Sequence, residues 1–296
     1  MSLESNNGLF YHFIAFVVVA IWGSTFVFTK MLLLNGLSPV QIFTLRFIIA
    51  YLLLFGYSLM RPFRLFSDSF RDELLMAALG MTGGSMYFLA ENAAMLYTTA
   101  TNTSLIVCSC PLFAIVYRHS ERISKLQAIG SILACIGMAV VVLNGHFVLH
   151  LSPKGDLLAF AACLCWAVYS LLMRPTSERY STLFITRKVF FYGLLTIIPC
   201  YFFVPEFPSI DVLLRPEVFW NLLFLSVVAS TICYLLWNWV ISKLGAVIAT
   251  NWVYFNPITT ILFAWWLLQE QITVYFLIGT VLILVGMYLA DKKYAS

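Results

Sequence analysis

The chain has 296 residues, 62% of them hydrophobic and only 10% charged, with a formal net charge of +4 and a mean hydropathy of +0.93. A water-soluble core of this length has no use for so much apolar surface, so the composition excludes an ordinary soluble domain and puts a membrane protein first. The few basic residues are spread over short loops with no interleaved stacking surface, which excludes nucleic acid as a partner.

About 20 apolar residues make a helix long enough to cross ~30 Å of hydrocarbon. On that measure the sequence predicts spans at 11–33, 40–60, 74–97, 101–118, 125–143, 154–174, 183–204, 217–241, 247–268 and 273–290. The first run is too long for a secretory h-region and lacks a basic n-region and a small-residue cleavage site, so it reads as a retained span. Asn35-Gly36 and Ser38-Pro39 divide the first span from the second. The third contains Glu91 inside the apolar stretch MYFLAENAAMLYTTATN, and the fourth is short. Pro205 and Pro208 close the seventh, and Gly245 separates the eighth from the ninth. The runs are continuously apolar rather than alternating, which favours helices over a barrel. All seven cysteines fall inside spans without zinc-type spacing and read as small packing residues.

Ten spans put both termini on one side. If that side is the cytoplasm, its loops hold eleven of the 17 basic residues, including Arg61, Arg64, Arg71, Arg179 and Lys243, and the outer loops hold Lys154 and Arg215. This bias places both termini in the cytoplasm and the chain in the inner membrane as a multi-pass protein.

The two halves of the sequence echo one another. Trp22-Gly23-Ser24 followed by Lys30 matches Trp166-Ala167-Val168 followed by Arg174, and Thr44-Leu45-Arg46 matches Ile185-Thr186-Arg187. At a single offset of 149, Ala100-Thr101-Asn102 recurs as Ala249-Thr250-Asn251, Glu121 as Glu270, Gly130 as Gly279, and Gly137-Met138 as Gly286-Met287. An odd number of spans per unit forces the second unit to cross in the opposite sense. The expected fold is therefore an all-α integral membrane protein of ten transmembrane helices, two inverted five-helix repeats over 1–145 and 150–296. Such inverted repeats mark secondary transporters, with a site near the midplane where the units meet.

The Trp-Gly-Ser-x-Phe start with a later lysine, the arginine of the second span, and the proline, Glu-Arg-Ile-Ser and Gly-Met endings resemble the EamA-type permeases of the drug/metabolite transporter superfamily. The resemblance runs over nearly the whole chain, twice. It implies a ten-helix basket that carries metabolites, often amino acids, outward. One departure is that Pro257 lies thirteen residues before Glu270, the familiar spacing, whereas Pro111 lies ten before Glu121.

Charges within spans cost roughly 2.5–3.5 kcal/mol each at the helix centre, so they usually face a cavity or one another. Glu91 lies ~9 Å from the outer end of its span at 1.5 Å per residue. Three readings of it stand: a wall of the substrate path that binds ammonium or takes up a proton, a structural partner of Lys30 or Arg46, or a side chain reaching the outer interface. Inversion places the counterparts Arg174, Arg187, Lys188 and Asn238 in the inner half, and only the outer cluster is expected to hold a carboxylate. Trp22, Tyr87, Trp166, Tyr169, Tyr234 and Trp237, among small or polar neighbours in matched spans, are candidates for a pocket that takes an apolar side chain with a charged end. The substrate-binding candidates are thus Glu91, Trp22, Tyr87, Trp166, Tyr169, Tyr234, Asn238, Lys30, Arg46 and Arg187. Pro111 and Pro257 are the hinge candidates, with Asn251 and Asn256 placed to satisfy carbonyls freed there. Gly80, Gly83, Gly84, Gly130, Gly137, Gly279 and Gly286 read as sites of close helix packing.

An intramembrane enzyme would need a nucleophile with a base, or a metal set. The four histidines are scattered, HExxH is absent, no Asp lies deep in a span, and no GxxxxGKS loop is present. The sequence therefore predicts a secondary transporter, most simply an amino-acid exporter, with no cofactor and no metal. Anionic metabolites or nucleotide sugars are the alternative cargo, and an intramembrane enzyme or lipid-handling protein is the alternative class. The expected partners are a small-molecule substrate, protons and membrane lipid, with a homodimer left open.

Overall fold

The computed structural model describes residues 2–60, 64–98, 100–110, 125–143, 152–203, 207–268 and 274–291, and those residues form helices and no strand. The helices are α1 (Ser2–Leu34), α2 (Pro39–Leu59), α3 (Phe70–Tyr97), α4 (Ala100–Val107), α5 (Lys125–Leu143), α6 (Pro153–Ser177), α7 (Thr182–Ile197), α8 (Pro216–Leu244), α9 (246–268 in three pieces) and α10 (Val274–Asp291). Among the described residues, six stretches are long and apolar enough to cross a membrane: Gly8–Leu34, Pro39–Leu59, Phe70–Tyr97, Pro153–Ser177, Thr182–Phe202 and Pro216–Leu244. Lys125–Val140 and Leu277–Leu289 are shorter apolar helices. Large apolar side chains such as Phe13, Leu52, Ile136, Trp220 and Trp266 are exposed on the outside, as a chain solvated by lipid requires.

The ends are set by local chemistry. Ser38 opens α2 with a capping box: its hydroxyl accepts from the Gln41 N–H at 3.3 Å, while the Gln41 side chain accepts from the Ser38 N–H at 2.8 Å. Pro39 and Pro153, at the first position of their helices, have no N–H to leave orphaned. The Ser152 and Ser181 hydroxyls cap α6 and α7 by accepting from the Gly155 and Phe184 N–H groups. Gly245, at φ +83°, makes the turn from α8 into α9 in a conformation that side chains resist.

Some elements differ from the sequence-based expectation. The third span begins at Phe70 rather than 74, because Ser69 caps it and brings Asp72 and Glu73 into its first turn. The ninth is not one rod: Ala246–Asn251 passes through a 3-10 turn, Trp252–Phe255, before Asn256–Leu268 resumes. Pro257, one of the expected hinges, is the second residue of the resumed helix, and its missing N–H is the local reason for the break. Pro111 lies outside the described residues, as do Glu121 and Glu270.

The glycines explain how the halves lock. In the broad antiparallel contact of α5 with α10, a Cβ on Gly137 would stand 2.8 Å from the Gly279 carbonyl oxygen, and one on Gly286 would stand 2.6 Å from that of Gly130. These four glycines are the pairs 130/279 and 137/286 of the sequence repeat, so each contact is the image of the other under a two-fold axis across the helices. Gly80 and Gly84 of α3 likewise bring the backbone against Gly193 of α7.

Both third helices of the repeats, α3 and α8, contain a π segment, at Met81–Ser85 and Phe224–Ile232. The 147-residue offset that matches Tyr87 with Tyr234 maps the first onto the end of the second. α3 is kinked at Gly84 (φ −127°, ψ −106°). A π segment leaves carbonyls poorly paired along its own helix and is frequent at functional sites.

Candidate functional site

The π segments sit against a nest of aromatic rings at the centre of the molecule. Trp22 of α1 and Trp166 of α6, equivalent in the repeat, meet edge to face with centroids 5.4 Å apart. Tyr234 packs on both, at 5.8 and 6.0 Å, and Tyr87 packs on Trp166 at 5.0 Å. The Trp22 indole N–H donates to the Ala229 carbonyl of one π segment at 2.9 Å, and the Tyr234 hydroxyl donates to the Gly83 carbonyl of the other. The rings are therefore held by the carbonyls that the π segments set loose. Tyr234→Phe frees the Gly83 carbonyl in a dry site, which costs roughly 1–3 kcal/mol. A fall of several degrees in the melting temperature of the purified variant is expected, and an unchanged melting temperature contradicts this account of the π segment.

These rings line a small cavity of about 30 Å3. Its wall also carries Arg46, Phe88, Glu91 and Asn256. Pockets that engulf a ligand begin at ~300 Å3, so the rings must part before a metabolite can enter.

Glu91, on α3, is buried, and its Oε1 accepts from the Tyr87 hydroxyl at 3.0 Å. Arg46, on α2, is buried as well. Its Nε donates to the Ser230 hydroxyl at 2.5 Å, and its guanidinium lies 4.6 Å over the Phe88 ring. The two opposite charges share the cavity without touching: among the described residues the ion pairs within 4 Å are Arg64–Asp68, Arg179–Asp72 and Lys188–Glu73. Asn256, on the same wall, has a buried amide oxygen with no hydrogen-bond partner among the described residues. The site therefore offers anionic and neutral acceptors, a separate guanidinium, and aromatic faces that favour a cation.

The other candidates lie elsewhere. Lys30 donates to the Met95 carbonyl at 2.5 Å, where it meets an orphan acceptor in the last turn of α3. It is therefore not paired with Glu91. Asn238, the counterpart of Glu91, sits in a packed network, accepting from the Tyr169 hydroxyl at 2.5 Å and donating to the Thr186 hydroxyl at 2.8 Å. Tyr169 fills the space that Gly83 leaves and stacks 5.2 Å from Trp166, one layer behind the cavity. Arg187 donates to the Ser58 hydroxyl at 3.0 Å and to the Arg64 carbonyl, away from the central cavity. Asn251 accepts from the Ser131 hydroxyl at 3.5 Å.

The expectation that only the outer cluster holds a carboxylate is corrected. At the α6–α7 end, Lys188 pairs with Glu73, whose carboxylate also accepts from the Tyr192 hydroxyl at 2.5 Å. Arg179 pairs with Asp72 at 3.2 Å, and the Tyr180 hydroxyl donates to Asp72 at 3.0 Å. These bonds tie the start of α3 to the second half of the chain. The acidic pair was missed because the sequence places it in a loop, and its repeat counterparts, Phe219 and Trp220, carry no charge. Phe88 and Ser230 carry no signal beyond their neighbourhood, and Asn256 stands out in the sequence only as a neighbour of the Pro257 break.

Comparison with known proteins agrees with this architecture. The profile of the EamA-like transporter family matches residues 9–143 and, a second time, residues 153–290. An "Uncharacterized transporter" of Archaeoglobus fulgidus is 26% identical over 285 residues, covering 95% of this chain and 97% of that protein. A "Probable amino-acid metabolite efflux pump" of Salmonella typhimurium is 27% identical, covering 94% and 93%. A "Probable terminal-alkyne amino-acid exporter" of Streptantibioticus cattleyicolor is 24% identical, covering 75% and 74%. One crystal structure superposes with a TM-score of 0.74 at 18% identity, covering 95% of this chain and 96% of its own, and so shares the fold.

Proposed function

The chain belongs to the EamA-like transporter family, a multi-pass membrane family, and from that premise we propose that it exports an amino acid or a close zwitterionic relative by alternating access. The observation that carries this reading is the meeting of two charges in the centre that form no direct ion pair: Glu91 and Arg46 face one aromatic cavity with more than 4 Å between their charged atoms. A zwitterion supplies the missing partners at once, its ammonium to Glu91 and the Asn256 amide oxygen, its carboxylate to Arg46. The side chain of the cargo then lies among Trp22, Trp166 and Tyr234. The relatives whose names mention amino acids support the same class.

In this reading ten helices cross the inner membrane as two inverted units, both termini lie in the cytoplasm, and the α6–α7 end is the cytoplasmic mouth. Protons are the coupling ion and Glu91 carries them. The test is ligand-dependent melting of the purified protein with three series: amino acids, the matching carboxylic acids without the amine, and the matching amines without the carboxylate. Only a ligand that prefers the native state raises its stability, by ~2.7 kcal/mol at one hundred times Kd. The amino acids are expected to stabilise, and the two half-molecules to be far weaker. Equal stabilisation by the plain carboxylates would transfer the reading to an anion carrier.

A further inference from the structure

A second polar pocket, of about 200 Å3, lies at the α6–α7 end, well removed from the aromatic nest. Three arginines line it: Arg64 from the connection before α3, Arg179 from the α6–α7 turn and Arg187 from α7. Its other walls include Tyr180, Phe184 and the hydroxyl-bearing Ser58. No acidic side chain is among the lining residues.

Arg187 and Arg64 are held in place, and Arg179 is more exposed. Arg187 is buried, anchored by the Ser58 hydroxyl and the Arg64 carbonyl, and its guanidinium lies 5.5 Å over the Phe184 ring. Arg64 lies 5.3 Å over Tyr180 and 5.8 Å over Phe184. Asp68 and Asp72 engage Arg64 and Arg179 from outside the pocket, and Glu73 offsets the neighbouring Lys188. Among the described residues that line the pocket or pair with its surroundings, four cations meet three carboxylates, which leaves one positive charge in excess around a partly open polar space. Guanidinium groups converging in this way repel one another until an oxyanion accepts their N–H groups, in the two-pronged geometry that arginine favours.

We propose that this pocket is a second binding site, separate from the transport cavity, for a small oxyanion of the carboxylate or phosphate class. The volume admits a phosphate-sized group. Two sources supply that chemistry: a soluble anion, or the headgroup of an acidic phospholipid at the membrane face where the basic loops gather. An anion in the pocket competes with Asp72 for Arg179 and so loosens one of the ties across the two halves.

The test uses the full-length protein and follows unfolding by tryptophan fluorescence. One arm titrates sodium phosphate against sodium chloride at equal ionic strength. The other compares nanodiscs of phosphatidylcholine with and without phosphatidylglycerol. The variants are Arg179→Gln and Arg64→Gln, whose side chains are 70% and 46% exposed, so that loss of either charge leaves the fold intact. Phosphate beyond the chloride effect, or phosphatidylglycerol, is expected to raise the wild-type melting temperature by several degrees, with at least a tenfold weaker response in each variant. A response to phosphate identifies a soluble anion, and a response confined to phosphatidylglycerol identifies the headgroup. No shift in either arm, or the same shift in wild type and both variants, overturns the site.

Discussion

Gly286→Leu is expected to abolish the folded protein. A Cβ at Gly286 collides with the backbone nitrogen of Ala134 and stands 2.6 Å from the Gly130 carbonyl oxygen and 2.8 Å from the Ala134 Cα. All three are backbone atoms, so no side chain can rotate away, and the two helices must separate along their whole contact. Overpacking in a yielding core costs ~1–3 kcal/mol, and a backbone-on-backbone clash lies at or beyond the top of that range. Size-exclusion chromatography in mild detergent should show the monodisperse peak lost. Gly56→Leu is the control, since Gly56 is exposed on α2 with nothing within 4 Å of a new Cβ. A well-folded Gly286→Leu protein would show that the contact of α5 with α10 is not what holds the halves together.

The second large effect is on transport rather than folding. Glu91→Gln keeps the size of the side chain and its hydrogen bond from Tyr87 but removes the charge facing the cavity. A hydrogen bond to a charged group contributes ~1.5–3 kcal/mol, so substrate affinity should fall by about 10- to 100-fold. If Glu91 also carries the proton, the variant's remaining transport should no longer vary with pH. Reconstituted vesicles with an imposed pH gradient read both effects together. Wild-type rates with intact pH dependence in a folded Gln variant would remove Glu91 from the mechanism.

Much of the centre was legible from the repeat alone. A two-fold axis brings equivalent residues together where the units meet. Matching Trp22 with Trp166 and Tyr87 with Tyr234 therefore found the rings that touch there. Glycine spacing was equally informative, because a backbone contact leaves no choice of residue. The same matching says less about what each side chain bonds. Arg46 and Arg187 are equivalent in sequence, and inversion puts them at different depths; Ser230 holds one at the cavity while Ser58 and the Arg64 carbonyl hold the other at the α6–α7 end. Lys30 found a carbonyl rather than a carboxylate. The bond between Lys188 and Glu73 joins residues 115 positions apart and has no counterpart in the other half, so neither periodicity nor repetition announces it.

The paired π segments carry a geometric corollary. Each stores a surplus residue in its helix, and a ring of the central nest donates a hydrogen bond to a carbonyl of each segment. Were the surplus absorbed into an ordinary α turn, everything on one side of it would swivel by ~100° and advance ~1.5 Å. In α3 that rotation would swing Tyr87 and Glu91 through more than a quarter-circle while leaving Asp72 and Glu73 where they are. Such a helix has discrete settings, like the detents of a dial, and no continuous range between them.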